Sequence, residues 1–141
     1  MILGIGIDLL DVRRMERELQ REGGGLRDRV FTSGEIAYCQ GKGCPAQHFA
    51  ARFAAKEAVF KALAVEQREG RRWRDVEIET DTDGRPRAIL HGAPKQRAEA
   101  LGVEVILLTL SHTRELAAAY VFLESERVNA TERRSTHEQR P

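Results

Sequence analysis

A chain of 141 residues is long enough to bury one core and too short for two ordinary domains. Apolar residues make up 41% and charged residues 32%, and no apolar run approaches the roughly 18 residues of a membrane span, so the composition excludes a helical membrane protein and fits a soluble globular one. With 23 basic against 22 acidic residues and a net charge of +1, the chain lacks the overall basic excess of a nucleic-acid binder.

Residues 2–8, Ile-Leu-Gly-Ile-Gly-Ile-Asp, predict a strand that ends at Asp8. Gly4 and Gly6 leave one of its faces nearly bare, open to another backbone or to a ligand. The N-terminus has no basic segment followed by an apolar stretch and a small-residue cleavage site, which predicts a cytoplasmic chain. Asp11 is placed to cap a helix with Val12, Met15 and Leu19 on one side and Arg13, Arg14, Arg17 and Arg21 largely on the other. That arginine face reads either as a solvated surface or as a docking surface for an acidic partner. Interleaved Glu16, Glu18 and Glu22 argue against nucleic acid. Gly23 to Gly25 break the helix.

Thr32-Ser-Gly-Glu35 has the spacing of a capping box and opens a short helix through Cys39. A loop follows over 41–45. Cys39 and Cys44, with His48 four residues on, have the look of a partial zinc site but lack a fourth ligand. Two reduced thiols in a cytosolic chain is the plainer reading.

The segment from Phe49 to Ala64 is the most informative. Phe49, Phe53, Phe60 and Leu63 recur at helical spacing, and six alanines cover much of the other side. A helix apolar nearly all round is buried, so Arg52, Lys56, Glu57 and Lys61 are anomalous. Stranding one buried charge costs about 3–5 kcal/mol, against a total domain stability of about 5–15 kcal/mol. The four charges must be compensated by each other, by water in a cleft or by a ligand, and three cations with one carboxylate suggest an anion arriving with a metal.

Beyond this helix, 68–74 reads as a loop. Val76 and Ile78 mark a strand, Asp81 to Gly84 a turn, and 86–90 a second strand. Ala93–Leu101 forms a helix closed by Gly102. Val103–Leu110 and Leu116–Leu123 are strands joined around Ser111-His112-Thr113-Arg114. Residues 125–141 turn polar and aperiodic, which predicts a disordered tail behind a single domain over 1–124. The order of elements indicates an α+β fold.

Several residues carry two readings. Asp8 and Glu57, from distant segments, form the kind of carboxylate pair that Mg²⁺ accepts alongside waters and phosphates; alternatively Asp8 is a turn former and Glu57 pairs with Lys61 one turn on. Arg52, Lys56 and Lys61 suit phosphate oxygens, or snorkel to water past their own stems. Ser111 and His112 are adjacent on a strand end and point apart, so they are no catalytic dyad; His112 is either a satisfied turn residue or a phosphate contact.

Gly4-Ile-Gly-Ile-Asp8 together with Arg52-Phe-Ala-Ala-Lys56-Glu57-Ala-Val-Phe-Lys61-Ala-Leu63 resembles the two signatures of the 4′-phosphopantetheinyl transferases, of the small holo-[acyl-carrier-protein] synthase type. Leu110-Ser-His112 before an alanine-rich strand, and Gly84-Arg-Pro86 before another, are similar to the same family. The resemblance runs from about Met1 to Glu124. It implies antiparallel hairpins packed around the long buried helix, and transfer of the phosphopantetheine arm of coenzyme A to a serine of an apo acyl carrier protein. It further implies that Asp8 and Glu57 hold Mg²⁺ and act with Lys61 in catalysis. Arg52, Lys56, Ser111 and His112 would contact the coenzyme, while Arg13, Arg14 and Arg17 face the carrier's acidic helix. The serine's proton goes to Glu57, to a metal-bound water or to Lys61. Members of this size are homotrimers with sites between subunits, which would account for a helix apolar on both sides. The chain departs from the pattern where the family has a glycine-rich loop: it reads Ala64-Val-Glu-Gln-Arg-Glu69. That departure keeps open an alternative, a module of the same fold that binds coenzyme A or a carrier with little transfer.

Overall fold

Local signals set where the helices begin. The Asp11 carboxylate accepts hydrogen bonds from the backbone N–H groups of Arg13 (2.8 Å) and Arg14 (3.3 Å), capping α1 (Val12–Gln20). Thr32 and Glu35 form both bonds of the capping box, at 3.2 and 2.8 Å, and start α3 (Ser33–Gln40). Pro45 occupies the first turn of the long helix α4 (Pro45–Ala62), where its missing N–H has no cost. Gly102, with φ +79°, closes α5 (Gly92–Leu101). A short helix not anticipated from sequence, α2 (Gly25–Val30), lies between α1 and α3. This computed structural model describes residues 1–21, 25–66 and 71–126; Glu22, the expected glycine break at Gly23 and Gly24, residues 67–69 of the stretch that departs from the glycine-rich pattern, residues 68–70 of the expected loop, and all but the first two residues of the expected tail lie outside them.

The strands make two antiparallel sheets. β1 (Ile2–Asp11), β5 (Leu116–Glu124) and β4 (Val105–His112) form one, in the order β1-β5-β4. β2 (Val76–Thr80) and β3 (Pro86–Leu90) form a hairpin, entered through a 3₁₀ turn at Trp73–Asp75. The strand limits that bear on the site differ from the sequence reading. β1 runs on to Asp11, paired with Leu116, so Asp8 is inside the strand rather than at its end. β4 extends to His112, opposite Ala117, so Ser111 and His112 are paired strand residues rather than the tip of a turn. In both cases β5 supplies backbone partners that no local pattern reveals.

Helix α4 lies on the inner face of the three-stranded sheet, over Ala117, Ala119, Val121 and Leu123. A Cβ at Gly4 would overlap the carbonyl of Ala62, and one at Gly6 the carbonyl of Ala58. The bare face of β1 therefore admits a backbone, that of α4, rather than a ligand. α1, α2 and α3 pack on the N-terminal half of α4 around Phe31, Phe49 and Met15; the hairpin and α5 enclose its C-terminal half around Phe60, Leu63, Val76 and Ile78. Most of the apolar circumference of the helix is thus covered by its own chain, and the side that carries Phe53, Glu57 and Lys61 faces a cleft. Exposed apolar surface occurs instead on the outer sheet face, where Ile5, Ile7, Leu9 and Leu107 are each about half exposed or more.

Candidate active site

Gly4, Gly6 and Asp8 share the inner face of β1 because side chains alternate along a strand. Close packing of α4 on the two glycines brings Asp8 beside the last turns of the helix. Asp8, Glu57 and Lys61 line one cleft of about 520 Å³, completed by Arg14, Met15 and Glu18 from α1, Leu26 from α2 and Phe53. The Lys61 ammonium donates to Asp8 Oδ1 at 2.8 Å and to the Ile7 carbonyl at 3.1 Å. Glu57 does not take Lys61 as an i, i+4 partner; its Oε2 accepts from Arg71 Nη1 at 3.1 Å. The alternative that made Asp8 a turn former and Glu57 the helical mate of Lys61 is set aside by these contacts.

Among the described residues no group of three His, Cys, Asp or Glu side chains is placed to hold a metal. That sets aside Cys39, Cys44 and His48 as a zinc site; burial pushes the Cys39 thiol up to about 11, well away from a ligating thiolate. Two carboxylates facing one cleft still suit Mg²⁺, which binds through one or two carboxylates and keeps its other positions for water and phosphate.

Lys56 lies elsewhere. Its side chain is fully buried, and its ammonium donates to Glu35 Oε1 at 2.8 Å, the Val76 carbonyl at 2.7 Å and the Trp73 carbonyl at 3.2 Å. All three donors are used. Glu35 in turn accepts from the backbone N–H of Thr32 and, at 3.1 Å, of Ile78. This pair ties α3, α4 and β2 together and has no face left for a phosphate, contrary to the expectation that Lys56 contacts the coenzyme. Burial holds the Lys56 ammonium below its ordinary value, with the Glu35 carboxylate opposing.

Arg52 and His112 belong to a third cluster, around the N-terminal half of α4. Arg52 is 3% exposed. It donates through Nη2 to Thr80 Oγ1 at 2.7 Å and lies over the Tyr38 ring, 3.9 Å from its centroid. Its buried Nε has no partner among the described residues. The Tyr38 phenol is drawn below its ordinary value, first by its hydrogen bond to Thr80 and then by the Arg52 and Lys42 charges, against burial. The His48 ring bridges Tyr38 (6.0 Å between centroids) and His112 (5.3 Å). Burial, then the His112 and Arg52 charges, hold His48 below its ordinary value. Ser111, opposite Ala118, faces the outer side of the sheet, away from His112. Arg13, Arg14 and Arg17 are exposed on α1, and of the three only Arg14 lines the cleft.

Sequence reasoning therefore grouped residues that the fold divides. It missed Arg71, Tyr38 and Thr80, whose contacts join distant segments, placed His48 with two cysteines rather than with Tyr38 and His112, and missed Glu35, which the capping box explained fully on its own. An acid at a cap position, preceding a buried helix with an unmatched lysine, was the signal that pointed to the last.

A family model described as the 4′-phosphopantetheinyl transferase superfamily matches residues 4–121. The holo-[acyl-carrier-protein] synthase of Solibacter usitatus (strain Ellin6076) is 44% identical over 125 residues, which are 89% of this chain and 100% of that protein. The protein of the same name from Moorella thermoacetica is 46% identical over 88% of this chain and 95% of its own length. Among solved structures, holo-[acyl-carrier-protein] synthase from Neisseria meningitidis superposes with a TM-score of 0.79 at 30% identity, covering 89% of this chain and 100% of that one. The Helicobacter pylori enzyme in complex with coenzyme A gives 0.74 at 27% identity, over 85% and 99%.

Proposed function

The chain belongs to the 4′-phosphopantetheinyl transferase superfamily, and on that premise we propose that it is a holo-[acyl-carrier-protein] synthase. It moves the 4′-phosphopantetheine group of coenzyme A onto a serine hydroxyl of an apo acyl carrier protein. The serine oxygen bonds to the phosphorus that bears the pantetheine arm, the bond from that phosphorus to the bridging oxygen breaks, and adenosine 3′,5′-bisphosphate leaves. The observation that carries this reading is the cleft in which Asp8, Glu57 and Lys61 meet.

Displacement at phosphorus depends on positioning and charge neutralisation more than on covalent help from the protein. Asp8 and Glu57 are the residues that would hold Mg²⁺; when bound, the ion neutralises pyrophosphate oxygens. Lys61, half exposed and anchored among the described residues through Asp8 and a strand carbonyl, has the freedom to turn its ammonium to a phosphate. Glu57 is a carboxylate in the cleft suited to receive the serine proton, whereas the Lys61 ammonium, which donates to Asp8 and the Ile7 carbonyl, has no lone pair with which to take it. Arg14 joins the cleft to the exposed arginine face of α1, so a carrier's acidic helix laid along Arg13, Arg14 and Arg17 directs its serine inward.

A homotrimer belongs to the same reading. Ile5, Ile7, Leu9 and Leu107 are exposed together on the outer sheet face, and contiguous exposed apolar surface marks interaction sites. Contact between protomers across this face would form sites shared between subunits, with the Arg52–His112 cluster of one protomer serving the cleft of its neighbour. No helix among the described residues is long and apolar enough to cross a membrane, and we place the reaction in the cytoplasm, where coenzyme A is available.

The test is the intact mass of an apo acyl carrier protein incubated with this chain, coenzyme A and Mg²⁺. A gain of one phosphopantetheine arm, lost with EDTA and with Asp8→Ala, supports the reading. No gain over several carriers would overturn it in favour of a binding module.

A further inference from the structure

Among the described residues, Arg71 is the one arginine placed on a proposed metal ligand. Its Nη1 donates to Glu57 Oε2 at 3.1 Å and its Nη2 to the Val65 carbonyl at 2.9 Å. The guanidinium lies 4.7 Å from the Phe60 ring centroid and 6.0 Å from that of Trp73, and the side chain is 10% exposed. It is packed in place, in contrast to Lys61, whose side chain is 51% exposed. A guanidinium cannot shed its charge at any pH the protein survives, so this counter-charge is permanent.

With Arg71 on Glu57 and Lys61 on Asp8, the two proposed metal carboxylates are each matched by a cation before any ligand arrives, and the third carboxylate of the cleft, Glu18, has Arg21 at 3.5 Å and shares the lining with Arg14. A divalent ion approaching alone meets a site of no net negative charge, although Glu57 Oε1 is not engaged by Arg71. A pyrophosphate brings the missing negative charge. We propose, building on the metal reading above, that Arg71 is a positioning residue that holds Glu57 and suppresses metal binding until the coenzyme's pyrophosphate is present. Metal and coenzyme then enter as one charge-balanced unit. By linkage, whatever the coenzyme adds to metal affinity the metal adds to coenzyme affinity.

The experiment titrates Mn²⁺ into the full chain, reading free Mn²⁺ by electron paramagnetic resonance, with and without coenzyme A. Arg71→Met keeps the apolar stem against Phe60, and Arg71→Gln keeps a donor for the Val65 carbonyl. Both are expected to bind Mn²⁺ alone about tenfold more tightly than the parent chain, and to lose a similar factor of the tightening by coenzyme A. Arg71→Lys, which keeps the charge, stays near the parent. Adding Asp8→Asn to Arg71→Met removes the gain. Equal or weaker Mn²⁺ binding by folded Arg71→Met and Arg71→Gln would overturn the inference and leave the metal reading intact. Mn²⁺ binding indifferent to Asp8→Asn in both backgrounds would overturn the metal reading, and this inference with it.

Discussion

Two lysines on α4, five residues apart, each donate to a carboxylate at 2.8 Å, and they do opposite things. Lys56 and Glu35 are buried to the last atom and bound on every side by backbone as well as by each other. Lys61 and Asp8 lie at the lip of a cleft, the lysine half exposed and free to exchange partners. A charge on an apolar helix is therefore not by itself a sign of a ligand. What separates the two is whether the donors are already spent. The buried pair joins three elements of the fold; the exposed pair is held loosely enough to do chemistry.

The comparison breaks most visibly at Lys56. Lys56→Met leaves the Glu35 carboxylate buried with no cation, a loss of about 3–5 kcal/mol. Urea unfolding should show the midpoint falling by a corresponding amount, while the transfer rate per folded molecule holds. A midpoint near that of the parent would refute the division of roles. Lys61→Met should behave in the opposite sense. An exposed pair contributes at most about 1 kcal/mol to stability, whereas loss of one positioned donor to developing charge lowers turnover by about 10²–10³-fold. Unfolding and transfer measured on the same preparation distinguish these outcomes.

Gly6→Ala probes what brings the exposed pair to the cleft. Its Cβ collides with the Ala58 carbonyl, so β1 and α4 must separate, at about 1–3 kcal/mol. Asp8, two residues on, moves with the strand, and transfer should drop by more than the unfolded fraction accounts for; a drop fully explained by unfolding would contradict this. The smallest effect concerns His48. Its folded-state value lies below the ordinary one of about 6.5, so the unfolded chain binds its proton first as pH falls. Its contribution is full above about pH 6.5 and is lost as pH falls through the lowered value. Melting temperatures of the parent and of His48→Gln should converge as pH falls from 7.5 to 5, and parallel curves would count against it.

The parts of the fold that are local were legible in the sequence. The Asp11 cap, the Thr32–Glu35 capping box, the Asp81–Gly84 turn and the Gly102 closure each depend on neighbours a few residues away, and each appears where it was read. The resemblance located Asp8, Glu57 and Lys61, which the structure brings into one cleft. Spacing alone had no means of telling Lys56 from Lys61, because their difference lies in what Glu35, Trp73 and Val76 contribute from 17 to 21 residues away. The same holds for Arg71 on Glu57, and for the last residues of β1, Leu9 to Asp11, which are strand because β5 pairs with them. The apolar circumference of α4 was attributed to a neighbouring subunit; in the fold its own sheet, helices and hairpin cover most of it.

The central claim is that the cleft of Asp8, Glu57 and Lys61 transfers a phosphopantetheine arm. It is tested most directly by following the intact mass of an apo acyl carrier protein over time, with coenzyme A and Mg²⁺, at equal folded concentrations of parent, Lys61→Met and Lys56→Met. One added arm is expected with the parent and with Lys56→Met at similar rates, and a rate at least about a hundredfold lower with Lys61→Met. Transfer by Lys61→Met at the parental rate, or no transfer by the parent, would contradict it.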